Sequence, residues 1–253
     1  MQQGTVTTHT DTTGVATISF YHPAHNSLPG ALLAELAATI TRVGQAAATK
    51  VIVLKSEGER TFCAGASFDE LLSIKSEAEG KTFFSGFAQV INACRTCPRI
   101  IIGRVQGRAI GGGVGVAAAT DYCLASTTAA VKLSELVVGI GPFVVGPAVE
   151  RKIGAAAFAQ LALDASEFRP AEWALARGLY ASLHDTPAAL DAAVAALAAK
   201  LAAYNPEALT ELKQVLWAGT GHWDALLPER AAISGRLVLS EFTQQAIQAF
   251  KAR

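Results

Sequence analysis

Residues Gln106 to Glu135 read QGRAIGGGVGVAAATDYCLASTTAAVKLSE. A glycine cluster (Gly111, Gly112, Gly113 and Gly115) is followed by a run of small residues and then by an isolated carboxylate, Glu135. Adjacent glycines are costly inside a regular element, because glycine loses the most backbone entropy on folding. They suit a place where backbone approaches a ligand closely. Val114 to Thr120 contains no proline and is small and apolar, so a helix can begin there. The free N–H groups at a helix N-terminus attract developing negative charge. The stretch therefore predicts a pocket for an anion or oxyanion made from backbone, with a candidate acid/base downstream.

Outward from that stretch, the chain is apolar. Of its 253 residues 51% are hydrophobic and 17% charged, and the formal net charge is zero. That length suits one large domain with ample core, and the apolar surplus suits a surface partly covered by other subunits. No basic block suggests nucleic acid. No apolar run is long enough to span a bilayer. The N-terminus, MQQGTVTTHTDTTG, is polar and does not read as a signal peptide. Cys94-Arg-Thr-Cys97 is a CxxC without a second CxxC or paired histidines. Together with Cys63 and Cys123 it reads as reduced thiols of a cytoplasmic protein rather than as a redox or zinc centre. No metal and no cofactor are expected.

In chain order, Thr5 to His9 and Val15 to Phe20 read as a hairpin around Asp11 to Gly14. Leu32, Leu33, Leu36, Ile40 and Val43 fall at helical spacing, which predicts a helix over 30–47. Val51 to Leu54 and Ile100 to Ile102 with Val105 are continuous apolar runs, the mark of buried parallel strands, and they set a period of roughly 50 residues if equivalent. Ser56 to Ser67 reads as a loop, 68–72 and 81–94 as helices, and 122–125 and 131–133 as short strands. Beyond Pro142 the pattern is helical: 145–152, 155–163, 170–177, 187–203, 206–217 and a last helix over 228–251. Pro170, Pro187 and Pro206 stand where helices begin.

Gly113-Val-Gly115-Val-Ala-Ala118 fits the dinucleotide-binding pattern G-x-G-x-x-A, with Glu135 downstream. Gln106-Gly-Arg-Ala-Ile separates that motif from its strand, however, and Glu135 does not close the following one. A second reading uses more of the chain. Tyr21-His-Pro23-Ala-His-Asn26-Ser-Leu28, Thr61-Phe-Cys-Ala-Gly-Ala-Ser67, the glycine cluster, Ser134-Glu135-Leu-Val-Val-Gly139-Ile-Gly-Pro142 and Arg169-Pro-Ala-Glu-Trp-Ala-Leu-Ala-Arg-Gly-Leu179 occur in that order. Together they resemble the enoyl-CoA hydratase/isomerase, or crotonase, superfamily over nearly the whole chain. Gly111 to Gly115, Ser134-Glu135 and the run from Gly141 to Gly154 together resemble methylglutaconyl-CoA hydratase-like members, which commonly carry glycine where Gly115 stands.

The resemblance implies an α/β fold: a spiral of ββα units over 1–190 carrying an acyl-CoA site, then a C-terminal helical trimerisation region over 191–253. A homotrimer or dimer of trimers follows from it. The backbone N–H groups of Ala66 and Gly112 match the family's oxyanion hole. Ala64, Gly65 and Ala66, with His25 and Lys251, match positions that receive CoA. Glu135 matches one family glutamate, and Gly115 stands where many hydratases carry another. The implied activity is hydration of a 2-enoyl-CoA, with 3-methylglutaconyl-CoA as a candidate, Arg151 or Lys152 being placed to attract its second carboxylate. The alternatives are a single-glutamate isomerase moving a double bond from the 3 to the 2 position, and an acyl-CoA-binding protein without catalysis.

Overall fold

The structure is a computed structural model that describes residues 4–251, the side chains of 250 and 251 excepted. Its organising feature is a repeated turn of two strands followed by helix. Val51–Ser56 is followed by Thr61–Cys63 and the helices Phe68–Ser73 and Glu77–Thr96; Ile100–Val105 is followed by Arg108–Ile110 and the helix Gly112–Ala119; Tyr122–Ser126 is followed by Ala130–Lys132 and, after a 3-10 turn, the helix Gly146–Leu163. The first strand of each turn joins a six-stranded sheet in the order Thr5–Thr10, Val15–Tyr21, Val51–Ser56, Ile100–Val105, Tyr122–Ser126, Ser182–His184. The second joins a four-stranded sheet in the order Arg169–Pro170, Ala130–Lys132, Arg108–Ile110, Thr61–Cys63. Register carries the repeat: Val51 lies opposite Ile100, and Ala109 opposite Val131. The 50-residue period read from the apolar runs is therefore a true structural equivalence.

The apolar runs are continuous because both faces of the large sheet are covered. Ile52 and Leu54 point into the main core, while Val51 and Val53 pack with Ile102 and Leu124 against Leu190, Val194 and Ala198 of the helix Pro187–Ala202. Side chains alternate across a strand, so only a strand buried twice loses its polar positions. The main core also takes in Trp217, Trp223, Leu227, Ala231 and Ile247, beyond the boundary placed at residue 190. Helix Trp223–Leu237 runs along Glu77–Thr96 so closely that Gly80 and Gly235 meet backbone to backbone.

Two expectations change. The predicted last helix over 228–251 is two helices, Trp223–Leu237 and Glu241–Lys251. Ser240 begins the second, its Oγ accepting the Thr243 N–H at 3.3 Å, the local bond that lets serine end one helix and cap another. The loop predicted over 56–67 holds two short strands, Thr61–Cys63 and Gly65–Ala66, the latter paired with Ser27–Leu28. Ser182–His184 was not legible as a strand, because its three half-buried residues pair along one edge only. The break predicted between 152 and 155 is present at Gly154, whose φ of 78° interrupts the helix Gly146–Leu163.

The helical C-terminal part is fastened to the large sheet by a buried ion pair. Lys213 Nζ lies 2.6 Å from Asp121 Oδ2, with both side chains 2% exposed. Asp121 also accepts the Ile101 N–H and the Trp217 indole N–H, each at 2.7 Å. All four cysteines are buried free thiols. Burial pushes Cys63, Cys94 and Cys123 up to about 12 and raises Cys97, so none offers a thiolate near neutral pH.

Candidate active site

A cavity of about 400 Å³ opens between the glycine-rich helix start, the loop at Ala64 to Ala66 and the 3-10 turn Glu135–Val138. Its wall is mainly apolar, including Phe84, Phe87, Val138, Ile140 and Val145. Ala64, Gly65, Ala66, Gly112 and Glu135 all line it, so the structure brings these sequence-predicted residues to one place.

Gly111 precedes the helix Gly112–Ala119 with φ +53°, a conformation that side chains rarely take. Gly112 is the first helical residue, so its N–H has no intrahelical acceptor. A Cβ on Gly112 would run into the Phe87 ring, and one on Gly113 into the Cys63 carbonyl. The glycines thus serve close packing as well as backbone access. On the facing loop, Gly65 takes φ +86°; a Cβ there would lie 2.9 Å from Ile110 O and 3.4 Å from Gly112 N. The two candidate donors, Ala66 N–H and Gly112 N–H, are therefore on abutting segments. Asn26 braces this loop from behind, donating to Glu57 O at 2.8 Å and Thr61 O at 3.0 Å while its Oδ1 accepts the His22 N–H.

Glu135 opens a 3-10 turn closed by Gly139 in the left-handed region, with Ile140 N–H on the Glu135 carbonyl at 2.9 Å. A Cβ on Gly111 would stand 3.1 Å from Glu135 Oε1, so the carboxyl rests against the glycine cluster. Its other oxygen, Oε2, is buried and has no hydrogen-bond partner among the described residues. Desolvation pushes the carboxyl up to about 7. A carboxyl poised near neutral, in reach of a backbone donor pair, can take a proton from a carbon acid while the donors hold the oxyanion.

Other predicted residues fall elsewhere. His25, exposed and with φ 54°, sits on the loop before Ser27–Leu28 and does not line the cavity. Lys251 closes the last helix, and its side chain lies outside the described residues. The suggestion that Arg151 or Lys152 meets a substrate carboxylate is corrected. Arg151 donates to the Leu216 carbonyl and lies over Trp217, and Lys152 donates to the Asp121 carbonyl at 2.9 Å. Arg151 ties two helices together and Lys152 ties its helix to the segment before Tyr122–Ser126, and neither lines the cavity. Sequence reading also missed Lys132, Ser166 and Phe87 in the wall, whereas Val145 lies in the loop 143–147 expected to meet the acyl tail; Lys132 stands next but two before Glu135, the one available signal. Among the described residues no group of His, Cys, Asp or Glu is arranged to hold a metal.

Two strands and a helix per turn, wound about two candidate backbone donors with the carboxyl of the half-buried Glu135 beside them, define a crotonase fold. The chain matches the family described as Enoyl-CoA hydratase/isomerase over residues 10–251. It is 29% identical over 238 residues to a Bacillus subtilis (strain 168) protein named "Probable enoyl-CoA hydratase", covering 93% of this chain and 92% of that one. The crystal structure of an enoyl-CoA hydratase from Mycobacterium avium superposes with a TM-score of 0.83 at 25% identity, over 98% of this chain and 96% of that one. The match to the mitochondrial methylglutaconyl-CoA hydratase of Rattus norvegicus is 32% identical but covers 46% of this chain and 37% of that protein. The chain thus belongs to the enoyl-CoA hydratase/isomerase family, whose members act on acyl-CoA thioesters. Several further curated relatives match it over about half of their own length.

Proposed function

We propose that the protein is a single-carboxylate enoyl-CoA isomerase that moves a double bond from the 3 to the 2 position of an acyl-CoA. The observation that carries this reading is at Gly115, where many hydratases have their other glutamate. A Cβ there would lie 2.5 Å from Val145 Cγ1, so the position holds packing in place of a carboxylate. Among the described residues, Glu135 is then the one carboxylate in the cavity wall. Its Oε2 takes the proton from the α-carbon, and the electron pair moves into the thioester carbonyl. The oxygen gains charge between the N–H groups of Ala66 and Gly112. Return of the same proton to the γ-carbon leaves the conjugated 2-enoyl thioester. Such a shuttle needs one base and no water, which suits apolar walls.

Hydration of a 2-enoyl-CoA, the first choice on sequence grounds, is supported by the names of the Bacillus subtilis and Rattus norvegicus relatives. It requires a water held by two or more polar partners, and Glu135 would have to activate it alone. Ala64, Gly65, His25 and Lys251 are proposed to contact CoA. Assembly as a trimer or dimer of trimers is supported by exposed apolar side chains such as Leu163 and Val215, 76% and 68% exposed; sedimentation would measure it.

The test offers purified protein 3-hexenoyl-CoA, crotonyl-CoA and 3-methylglutaconyl-CoA in separate assays, with Glu135→Gln alongside. Growth of conjugated enoyl-thioester absorbance from 3-hexenoyl-CoA, lost in the variant, is the expected result. Loss of absorbance from either 2-enoyl thioester, with no growth from the first, would establish hydration instead. Tight binding without turnover of any of the three would make this an acyl-CoA-binding protein.

A further inference from the structure

Besides Glu135 and a few serines, the mainly apolar cavity wall holds a cation, Lys132, that is in no ion pair among the described residues. Lys132 lines the cavity, and its Nζ reaches the Ser166 carbonyl at 3.4 Å. The ammonium lies 4.5 Å from the centre of the Phe168 ring, and the Arg108 guanidinium lies 5.1 Å from the same centre. Among the described residues neither Lys132 nor Arg108 has a carboxylate partner; the nearby acid Asp164 is engaged by Arg169. Register explains the pairing of the two cations. Lys132 is opposite Ile110 on the neighbouring strand, and Arg108 is two residues before Ile110. Alternation puts all three on one face, and Ile110 itself lines the cavity.

We propose that Lys132, backed by Arg108, is an anion subsite at the acyl end of the cavity, and that the preferred substrates carry a second carboxylate on the acyl chain. The inference rests on the reading of the cavity as an acyl-CoA site and names the substrate class within it. Lys132 belongs to the wall of the reaction centre, because its carbonyl accepts the Gly111 N–H at 2.8 Å, on the glycine against which Glu135 rests. A hydrocarbon tail lying along this wall would strip water from the ammonium and return nothing. A carboxylate there would make a charge-assisted hydrogen bond. The Phe168 ring holds the two cations in place through their attraction to its face, so little ordering remains when the anion arrives.

The experiment compares two saturated five-carbon thioesters that cannot react, glutaryl-CoA and valeryl-CoA, by titration calorimetry with wild type, Lys132→Met, Lys132→Arg and Arg108→Met. Wild type is expected to bind glutaryl-CoA about tenfold more tightly, the scale of one partly solvated charged hydrogen bond. Lys132→Met should abolish the preference, Lys132→Arg keep it and Arg108→Met reduce it. The wild-type preference should also shrink as salt rises, a readout that needs no variant to fold. Absence of a wild-type preference, or its survival in Lys132→Met, would overturn the subsite. Equal weakening of both thioesters and of free CoA in Lys132→Met would also overturn it, because the lysine would then meet CoA phosphate. Because neither ligand turns over, a preference found in a protein inactive on 3-hexenoyl-CoA would leave the subsite standing and remove only the isomerase assignment. Binding of neither thioester overturns the acyl-CoA reading and the subsite together.

Discussion

Val145 occupies the space that a side chain at Gly115 would need, the ideal Cβ falling 2.5 Å from Val145 Cγ1. The two residues come from different helical segments, the glycine from Gly112–Ala119 and the valine from the residue that precedes Gly146–Leu163. Their contact fills the place where the family resemblance puts a second carboxylate. Gly115→Glu alone should overpack this junction and lower stability by about 1–3 kcal/mol, read as a lowered urea midpoint. Gly115→Glu with Val145→Gly should recover part of that loss and gain hydration of crotonyl-CoA relative to isomerisation of 3-hexenoyl-CoA. A double variant whose product ratio stays at the wild-type value would mean that the missing carboxylate is not what separates the two reactions.

Glu135 couples activity to pH in one direction and stability in the other. Burial raises its carboxyl from the ordinary 4.5 to about 7. As a base it must be ionised, so kcat/KM should climb with pH through about 7 and then level. Between 4.5 and 7 the folded protein keeps a proton that the unfolded chain has released, so this group's contribution to stability falls as pH rises across that window. Above it the full cost, about 3 kcal/mol on the unit conversion, is present. Glu135→Gln should therefore match wild type in melting temperature at pH 4 and exceed it at pH 8 while losing turnover. Equal melting temperatures at both pH values would contradict the buried, uncompensated carboxyl.

Most of this fold is legible in sequence wherever a segment is buried on both sides or has a local stop signal. Val51–Ser56 and Ile100–Val105 show as apolar runs because core lies on each face, and Pro187 and Pro206 mark helix starts through local geometry. Ser182–His184 and Gly65–Ala66 depend on partners distant in the chain, so nothing within them announces a strand. The site divides in the same way. Gly111 to Gly113 and Glu135 are visible as motif, because backbone access and a lone acid in apolar sequence are local properties. Lys132 and Val145 are not, since their roles arise from what Ile110, Phe168 and Gly115 place opposite them. Arg151 and Lys152 misled for that reason: their sequence neighbours were motif residues, but their spatial partners are Leu216 and Asp121.

The Asp121–Lys213 pair should be costly to break from one side. Lys213→Met leaves a buried carboxylate whose remaining hydrogen bonds, among the described residues, come from the Ile101 and Trp217 N–H groups, with Lys152 the nearby charge, and loss of about 3–5 kcal/mol is expected. Lys213→Met with Asp121→Asn removes both charges and should recover a good part of it, as the non-additivity of a double-mutant cycle in urea. Additive losses would mean that the pair is not coupled across the sheet.

Gly111 is the residue on which geometry and chemistry depend together. Its φ of +53° turns the chain from Arg108–Ile110 into the helix that presents the Gly112 N–H, and its missing side chain leaves room for Glu135 Oε1. Gly111→Ala should cost about 1–3 kcal/mol through backbone strain. The larger effect should be on rate. A methyl carbon 3.1 Å from Oε1 pushes the carboxyl by a few tenths of an ångström, and a relaxed backbone would swing the Gly112 donor away from the developing oxyanion. Loss of one such donor lowers kcat by about 100-fold to 1000-fold, with KM nearly unchanged because the apolar cavity walls and the proposed CoA-contacting residues are untouched. A variant that raises KM and spares kcat would place Gly111 in substrate binding and take the oxyanion role away from the helix start.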